Sequence, residues 1–177
     1  MTRTEEIMAI VLLAALVLTA VIIVVRIRIA GSKYKNFKKT REENINAFKR
    51  GGFLTEAAKV ANDMLAVYFD YTNKQFLVEK YNVLTLETKL NGPYSLDKLK
   101  YAKVFVDGKE YTPAGDGEDE RLAYTAALEL EFENEPDKLV FELLNEKVMR
   151  VSGVFNKCVK SASELADMFE EYINNNK

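Results

Sequence analysis

One long apolar run stands at the start of the chain. Residues 7–25 are nineteen consecutive positions at which only Thr19 has a polar side chain, and Arg26 follows directly. A helix of this length spans about 28 Å at about 1.5 Å per residue, which matches a bilayer hydrocarbon core of about 30 Å. The pattern predicts a transmembrane helix over residues 7–25, preceded by a short tail at residues 1–6.

A signal peptide is the alternative interpretation of this run. Signal peptides have a positive n-region and an apolar core of about 7 to 15 residues. Here the run is longer, and Glu5 and Glu6 offset the charge of Arg3. The segment therefore favours a retained anchor.

Residues 26–52 combine cations with a helical apolar spacing. Tyr34, Phe37, Ile45 and Phe48 recur at helical intervals, and glycines at residues 51–52 end the pattern. We expect a basic juxtamembrane stalk containing a short amphipathic helix. Seven cations with no acid among them are the candidate contacts to anionic lipid: Arg26, Arg28, Lys33, Lys35, Lys38, Lys39 and Arg41.

These cations have two interpretations. Either they contact headgroups, each contributing about 1 kcal/mol near the surface, or they only orient the span. Under the positive-inside rule, both place the C-terminal head in the cytoplasm and the N-terminus outside. The prediction is a single-pass protein of the plasma membrane.

The remaining residues, 53–177, are expected to form one head domain that opens with strands. Residues 54–60 are compatible with helix or strand, and we favour a strand. Residues 64–71 and 75–80 flank a polar turn and predict a hairpin. Residues 83–90 predict a further strand, which the Asn-Gly-Pro sequence at residues 91–93 is expected to break.

The next part of the head also has strand patterns. Residues 101–106 and 109–112 flank Asp107-Gly108 and predict a hairpin with a type I′ turn. Residues 122–133 predict a strand with one face in the core, because apolar side chains alternate with glutamates over residues 128–133. A turn at residues 134–137 leads to a return strand from Leu139. Residues 146–156 fit either a ragged strand or a packed loop.

The chain is predicted to close on a helix. Ser161 and Glu164 match a capping box, so we expect the helix to begin there. Its apolar stripe, which must be covered by the sheet, consists of Leu165, Met168, Phe169, Tyr172 and Ile173.

An acidic loop at residues 113–120 raises the question of calcium binding. An EF-hand loop that began at Asp116 would need Gly at its sixth position and Glu at its twelfth, but the chain has Arg121 and Ala127 there. We expect a solvated loop without a metal ion.

Composition excludes several classes of function. Residues 1–50 have 10 basic and 4 acidic side chains, whereas residues 51–177 have 15 basic and 23 acidic ones. An anionic head argues against nucleic-acid binding, which needs clustered Lys and Arg. The chain has no histidine, the commonest general base and a frequent metal ligand. The single cysteine, Cys158, is expected to be a small apolar filler beside the last helix.

The order of predicted elements resembles the pleckstrin-homology-like (PH-like) fold, and the amino-acid sequence is similar to those of small bacterial proteins of that type. The resemblance covers residues 54–174 and rests on three hairpins and a helix: LAVYFDYTNKQFLVEK, YSLDKLKYAKVFVDGKE, ALELEFENEPDKLVFELL and SASELADMFEEYI. It implies an α+β protein with a mostly antiparallel barrel or sandwich closed by a C-terminal helix. Phosphoinositide-binding members of the fold have a basic patch in their first loops, where this chain has only Lys74 and Lys80.

We expect a non-catalytic protein-interaction or scaffolding module with an unidentified protein partner, no nucleic acid and no cofactor. One alternative is an accessory subunit of a membrane complex that assembles through its span, where Ala15 and Thr19 form a small-x-x-x-small pair. Another is an enzyme based on carboxylates such as Asp70, Glu79 or Asp97, although scattered carboxylates are usually surface groups. Nucleophile, phosphate-loop and metal motifs are absent from the sequence.

Overall fold

The computed structural model describes residues 3–61, 64–112, 122–133 and 138–176. The acidic loop at 113–120 and the turn at 134–137 therefore lie outside the described residues. Two compact units, Met1–Glu43 and Asn44–Lys177, make up the chain, so the last two turns of the first helix belong with the head. The elements are α1 (Arg3–Arg50), β1 (Ala57–Ala61), β2 (Leu65–Asp70), β3 (Gln75–Asn82), β4 (Glu87–Ser95), β5 (Leu99–Val106), β6 (Lys109–Glu110), β7 (Leu122–Phe132), β8 (Leu139–Met149) and α2 (Gly153–Asn176).

Helix α1 covers both the predicted span and the predicted stalk without a break. The predicted helix in the stalk is confirmed, but it is the last part of one continuous helix rather than a short helix of its own. The reason is local, because residues 26–50 contain no proline and only one glycine, Gly31, which a helix tolerates at a cost of about 1 kcal/mol.

The predicted glycine stop is confirmed. Gly52 has a φ of 98°, its N–H donates to the Lys49 carbonyl at 3.1 Å, and the Phe53 N–H donates to the Phe48 carbonyl at 3.1 Å. This pair of bonds is a Schellman motif, which glycine favours because it has no Cβ.

The first sheet has the antiparallel order β1-β2-β3-β4. The strand favoured for residues 54–60 is confirmed from Ala57 onward, and the β2–β3 hairpin is confirmed, with Val67 opposite Val78. The predicted break at residues 91–93 is wrong, because β4 continues through it. Gly92 and Pro93 instead form a bulge opposite Leu77 on an edge strand, where a proline without an N–H is tolerated. A Cβ on Gly92 would meet the Phe76 carbonyl oxygen at 3.0 Å.

The second sheet has the antiparallel order β6-β5-β7-β8. Asp107 and Gly108 have φ values of 50° and 77°, which confirms the predicted type I′ turn. The alternation of β7 is also confirmed, since Leu128, Leu130 and Phe132 are buried. Of the two interpretations of residues 146–156, a strand is correct as far as Met149, after which α2 begins at Gly153.

The predicted start of the last helix is wrong by nine residues, about two and a half turns. Ser152 is the cap, because its Oγ accepts the Phe155 N–H at 3.2 Å and its carbonyl accepts the Asn156 N–H at 3.1 Å. Ser161 lies inside α2, and Glu164 binds Lys59 rather than an N-cap amide. The two residues are three positions apart in a helix, a spacing that fits an interior pair as well as a capping box.

One core joins both sheets to α2. Phe169, fully buried in α2, lies 5.0 Å from the ring centroid of Phe69 in β2 and 5.0 Å from that of Phe76 in β3. Leu128 and Leu130 of β7 belong to the same cluster. The protein is therefore α+β with two antiparallel sheets and a C-terminal helix. The barrel alternative is wrong, because the sheets do not close: no described strand of one sheet pairs with a strand of the other.

Candidate functional site

All seven predicted lipid-contact cations lie on α1. Arg26 and Arg41 are about 22 Å apart along the helix axis at about 1.5 Å per residue, and a step of about 100° per residue spreads the set around the helix. Lys38 lies 5.0 Å from the ring centroid of Tyr34, and Lys39 forms an i,i+4 ion pair with Glu43 at 3.4 Å. The structure therefore does not gather the seven cations into one site.

The apolar part of α1 is long enough to cross a membrane. Among the described residues, one helix has the length and composition of a membrane span, and no residue in its most apolar stretch is buried. A signal sequence near an N-terminus has the same properties. Thr19 donates a hydrogen bond to the Ala15 carbonyl at 2.8 Å, so its hydroxyl is satisfied within the helix.

Of the three carboxylates expected at the surface, two are buried. Asp70 and Glu79 are both fully buried. Tyr68 donates to Glu79 at 2.7 Å, and Thr88 does so at 2.7 Å. Asp97 is half-exposed and bonds to Lys74 and Tyr172. Burial and the Asp97 carboxylate raise the pKa of Tyr172 to about 12.

Asp70 ties the start of the head to the β2–β3 turn. Its Oδ2 accepts the Leu54 N–H at 2.6 Å and the Asn73 amide at 2.8 Å, while its Oδ1 accepts the Asn73 N–H at 2.9 Å. Burial raises the pKa of Asp70, but these hydrogen bonds lower it more, so the carboxyl ionises below its ordinary value of 3.8. A general acid or base for neutral pH needs the opposite shift, so the geometry gives Asp70 a structural role.

Three further hydrogen bonds strengthen the same connection. Glu56 accepts the Thr72 N–H at 2.9 Å and its hydroxyl at 2.8 Å. The Asn73 amide also donates to the Gly52 carbonyl at 3.2 Å. The segment after α1 is therefore bonded to the turn at several points. The local indication in the sequence is Asp70 itself, because Asp side chains often accept backbone N–H groups in turns.

A groove of about 550 Å³ lies beside this connection and is the candidate site. It is lined by the end of α1, the following segment, the β2–β3 turn and the β4 bulge: Ala47, Phe48, Gly51, Gly52, Phe53, Asn73, Gln75 and Pro93. These lining residues are apolar or carry amides, and none of them is ionisable. Such a lining suits binding of an uncharged or apolar group, with the amides providing direction.

This groove was missed in the sequence because its residues come from three separate segments. The only local indications were the glycine pair after α1 and the Asn-Gly-Pro sequence, which were interpreted as stops. The glycine pair does end α1 and also lines the groove, whereas the Asn-Gly-Pro sequence does not end β4 and contributes Pro93 to the lining.

Cys158 is not beside the last helix but within it. It is fully buried, its Sγ lies 3.4 Å from the Leu143 carbonyl, and burial raises the pKa of the thiol. This environment fits the predicted apolar filler, since a reactive cysteine needs a lowered pKa.

No group of three or more His, Cys, Asp or Glu side chains able to hold a metal ion occurs among the described residues. Comparisons with protein-family models, with curated proteins and with solved structures found no match to this chain.

Proposed function

We propose that this chain is a single-pass membrane protein whose cytoplasmic PH-like head binds a protein partner through the groove and catalyses no reaction. The observation that carries the proposal is the exposure of the apolar half of α1. Large side chains such as Leu16 and Leu18 are more than 60% exposed, and a helix with such a surface needs an apolar environment, which a bilayer provides.

Continuity of α1 limits which cations meet the membrane. In a helix that leaves the bilayer near its normal, Arg28 is about 5 Å and Lys33 about 12 Å beyond Val25, whereas Arg41 is about 24 Å beyond it. The headgroup layer is about 6 Å thick and screening acts over about 8 Å at physiological salt. We therefore assign lipid contact to the first three cations and assign orientation of the span to the whole set.

The groove supports a binding function. Its lining has apolar surface and amides on a connection held by Asp70, Glu56 and Asn73. A rigid site of this kind can accept an apolar side chain of a partner without a large ordering cost. The order of strands and the packed C-terminal helix support the PH-like interpretation.

Membrane extraction and cysteine labelling test the anchor and the topology. The full chain should stay in the membrane pellet at alkaline pH and keep its N-terminus. In intact cells an impermeant maleimide should label Thr2→Cys but not Leu84→Cys, which should react after permeabilisation. Leu84 is the better reporter because it is 90% exposed, whereas Cys158 is buried. A mature protein that lacks the apolar run would identify a signal peptide, and labelling of Leu84→Cys in intact cells would put the head outside.

Site-specific photo-crosslinking tests the groove. A photoreactive residue at Gln75, in the groove, should give a discrete adduct in membranes, while one at Leu84 should not. Ala47→Arg places a charge among the lining residues and should abolish the Gln75 adduct, whereas Lys89→Arg, outside the groove, should leave it intact. An adduct that is unaffected by Ala47→Arg would contradict groove binding.

A further inference from the structure

An exposed apolar cluster surrounds the connection between β8 and α2. We call it the turn patch, and it consists of Tyr124, Met149, Val151 and Val154, which are 52%, 60%, 84% and 51% exposed. Met149 pairs with Leu122, two residues before Tyr124, and the Ser152 N–H donates to the Met149 carbonyl at 2.8 Å. These contacts bring the four residues to the end of the second sheet where β7 begins and β8 ends. Large apolar side chains that are left exposed close together are a feature of interaction sites.

The turn patch is held in a defined shape. Arg150 donates to Asp107 at 3.2 Å and to the Leu122 carbonyl at 3.3 Å. Asp107 also accepts the N–H groups of Tyr124 and Thr125, each at 2.9 Å. Arg150 therefore joins the β5–β6 turn, the start of β7 and the end of β8, so the patch needs little ordering before it binds.

Cations border the turn patch in a head that is otherwise acidic. Residues 147–163 contain four basic side chains and no acid, although Glu146 directly precedes them and the head as a whole has 23 acidic against 15 basic residues. Lys147 is exposed and lies 5.9 Å from the ring centroid of Tyr124. Lys157 is exposed and follows Val154 by three residues, which places both on one side of α2.

We propose that the turn patch docks onto an anionic lipid bilayer. The side chains of Met149, Val151 and Val154 enter the interfacial region, and the ammonium groups of Lys147 and Lys157 lie at the level of the headgroups. Apolar side chains with flanking cations are the combination that binds anionic membrane surfaces. This inference rests on one part of the proposed function, the membrane anchor. A tethered head meets a bilayer at high effective concentration.

The test uses the full chain in phosphatidylcholine nanodiscs, so that the span is occupied and neutral lipid surrounds it. An environment-sensitive fluorophore is attached at Val151→Cys and, as the matched control, at Leu84→Cys, an equally exposed apolar position in the β3–β4 turn. Phosphatidylserine vesicles should shift the Val151 emission to the blue, and spin-labelled lipid in those vesicles should quench it. Phosphatidylcholine vesicles should cause neither the shift nor the quenching. The Leu84 probe should respond to neither kind of vesicle.

Charge variants measure the electrostatic contribution to membrane binding. Lys147→Gln and Lys157→Gln should each weaken binding to phosphatidylserine vesicles about fivefold, because a cation near an anionic surface contributes about 1 kcal/mol and about 1.4 kcal/mol corresponds to a factor of ten. Lys89→Gln, which removes an exposed cation outside the patch, should leave the affinity unchanged.

Several results would overturn the proposal. A Val151 probe that ignores phosphatidylserine vesicles, or that responds no more than the Leu84 probe, excludes membrane docking. A response to soluble polyglutamate but not to vesicles identifies an acidic protein as the occupant instead. Release of the protein from membranes by alkaline extraction would refute the proposed function. Vesicle binding by the same protein would still test the docking proposal separately.

Discussion

Replacement of Asp70 by alanine tests the connection that shapes the groove. The variant removes a fully buried carboxylate that accepts three hydrogen bonds from Leu54 and Asn73. Hydrogen bonds to a charged group contribute about 1.5 to 3 kcal/mol each, and a buried donor left without an acceptor costs about 1 to 3 kcal/mol. Because the three bonds share one carboxylate, we expect a loss of about 4 kcal/mol rather than their sum.

Asp70→Asn separates charge from shape. One amide oxygen can still accept the Asn73 N–H, but the amide nitrogen then faces the Leu54 N–H, and two donors cannot bond. We expect about half of the loss caused by alanine. Asp97→Ala is the matched control, because Asp97 also contacts the β2–β3 turn, through Lys74, but is half-exposed and should cost less.

The measurement is urea unfolding of the full chain in detergent micelles, followed by tyrosine fluorescence. The head contains eight of the nine tyrosines, and the chain has no tryptophan. Superimposable melts for wild type and Asp70→Ala would refute the reasoning. Equal losses for Asp70→Ala and Asp97→Ala would also contradict it, because burial would then have no effect.

Three further predictions use the same assay. Phe169→Ala should cost about 3 to 5 kcal/mol because it leaves a cavity between two aromatic rings, and Phe169→Leu should recover part of this; a melt like that of wild type would contradict the packing. Ser152→Ala should cost about 1 kcal/mol as the loss of an N-cap, whereas Ser161→Ala inside α2 should cost little, and the reverse order would restore Ser161 as the cap. Burial raises the pKa of Asp107, but bonds from two backbone N–H groups and Arg150 lower it more. Asp70 and Asp107 both have folded-state pKa values below the ordinary value of 3.8. Between the folded-state pKa and that ordinary value, the unfolded chain therefore binds more protons than the folded chain does. Stability should be full above that value and fall as the pH drops through the folded-state pKa, with a shallower fall for Asp70→Asn.

Local patterns in the sequence were sufficient for much of the fold. The helix over the apolar run, the β2–β3 hairpin, the Asp107-Gly108 turn and the alternation of β7 each depend on neighbouring residues, so periodicity and turn chemistry predicted them correctly. The glycine stop after Arg50 is local for the same reason.

Tertiary contacts decided what local patterns left ambiguous. Pro93 stays within a strand because β4 is an edge, and α2 extends back to Gly153 because Phe155 and Cys158 find a core there. Asp70 is buried because a distant backbone N–H, that of Leu54, completes its hydrogen bonding. The groove and the turn patch also arise from segments far apart in sequence. Periodicity identifies which face of an element is apolar, whereas only the packed structure determines which apolar faces remain uncovered and which charges border them.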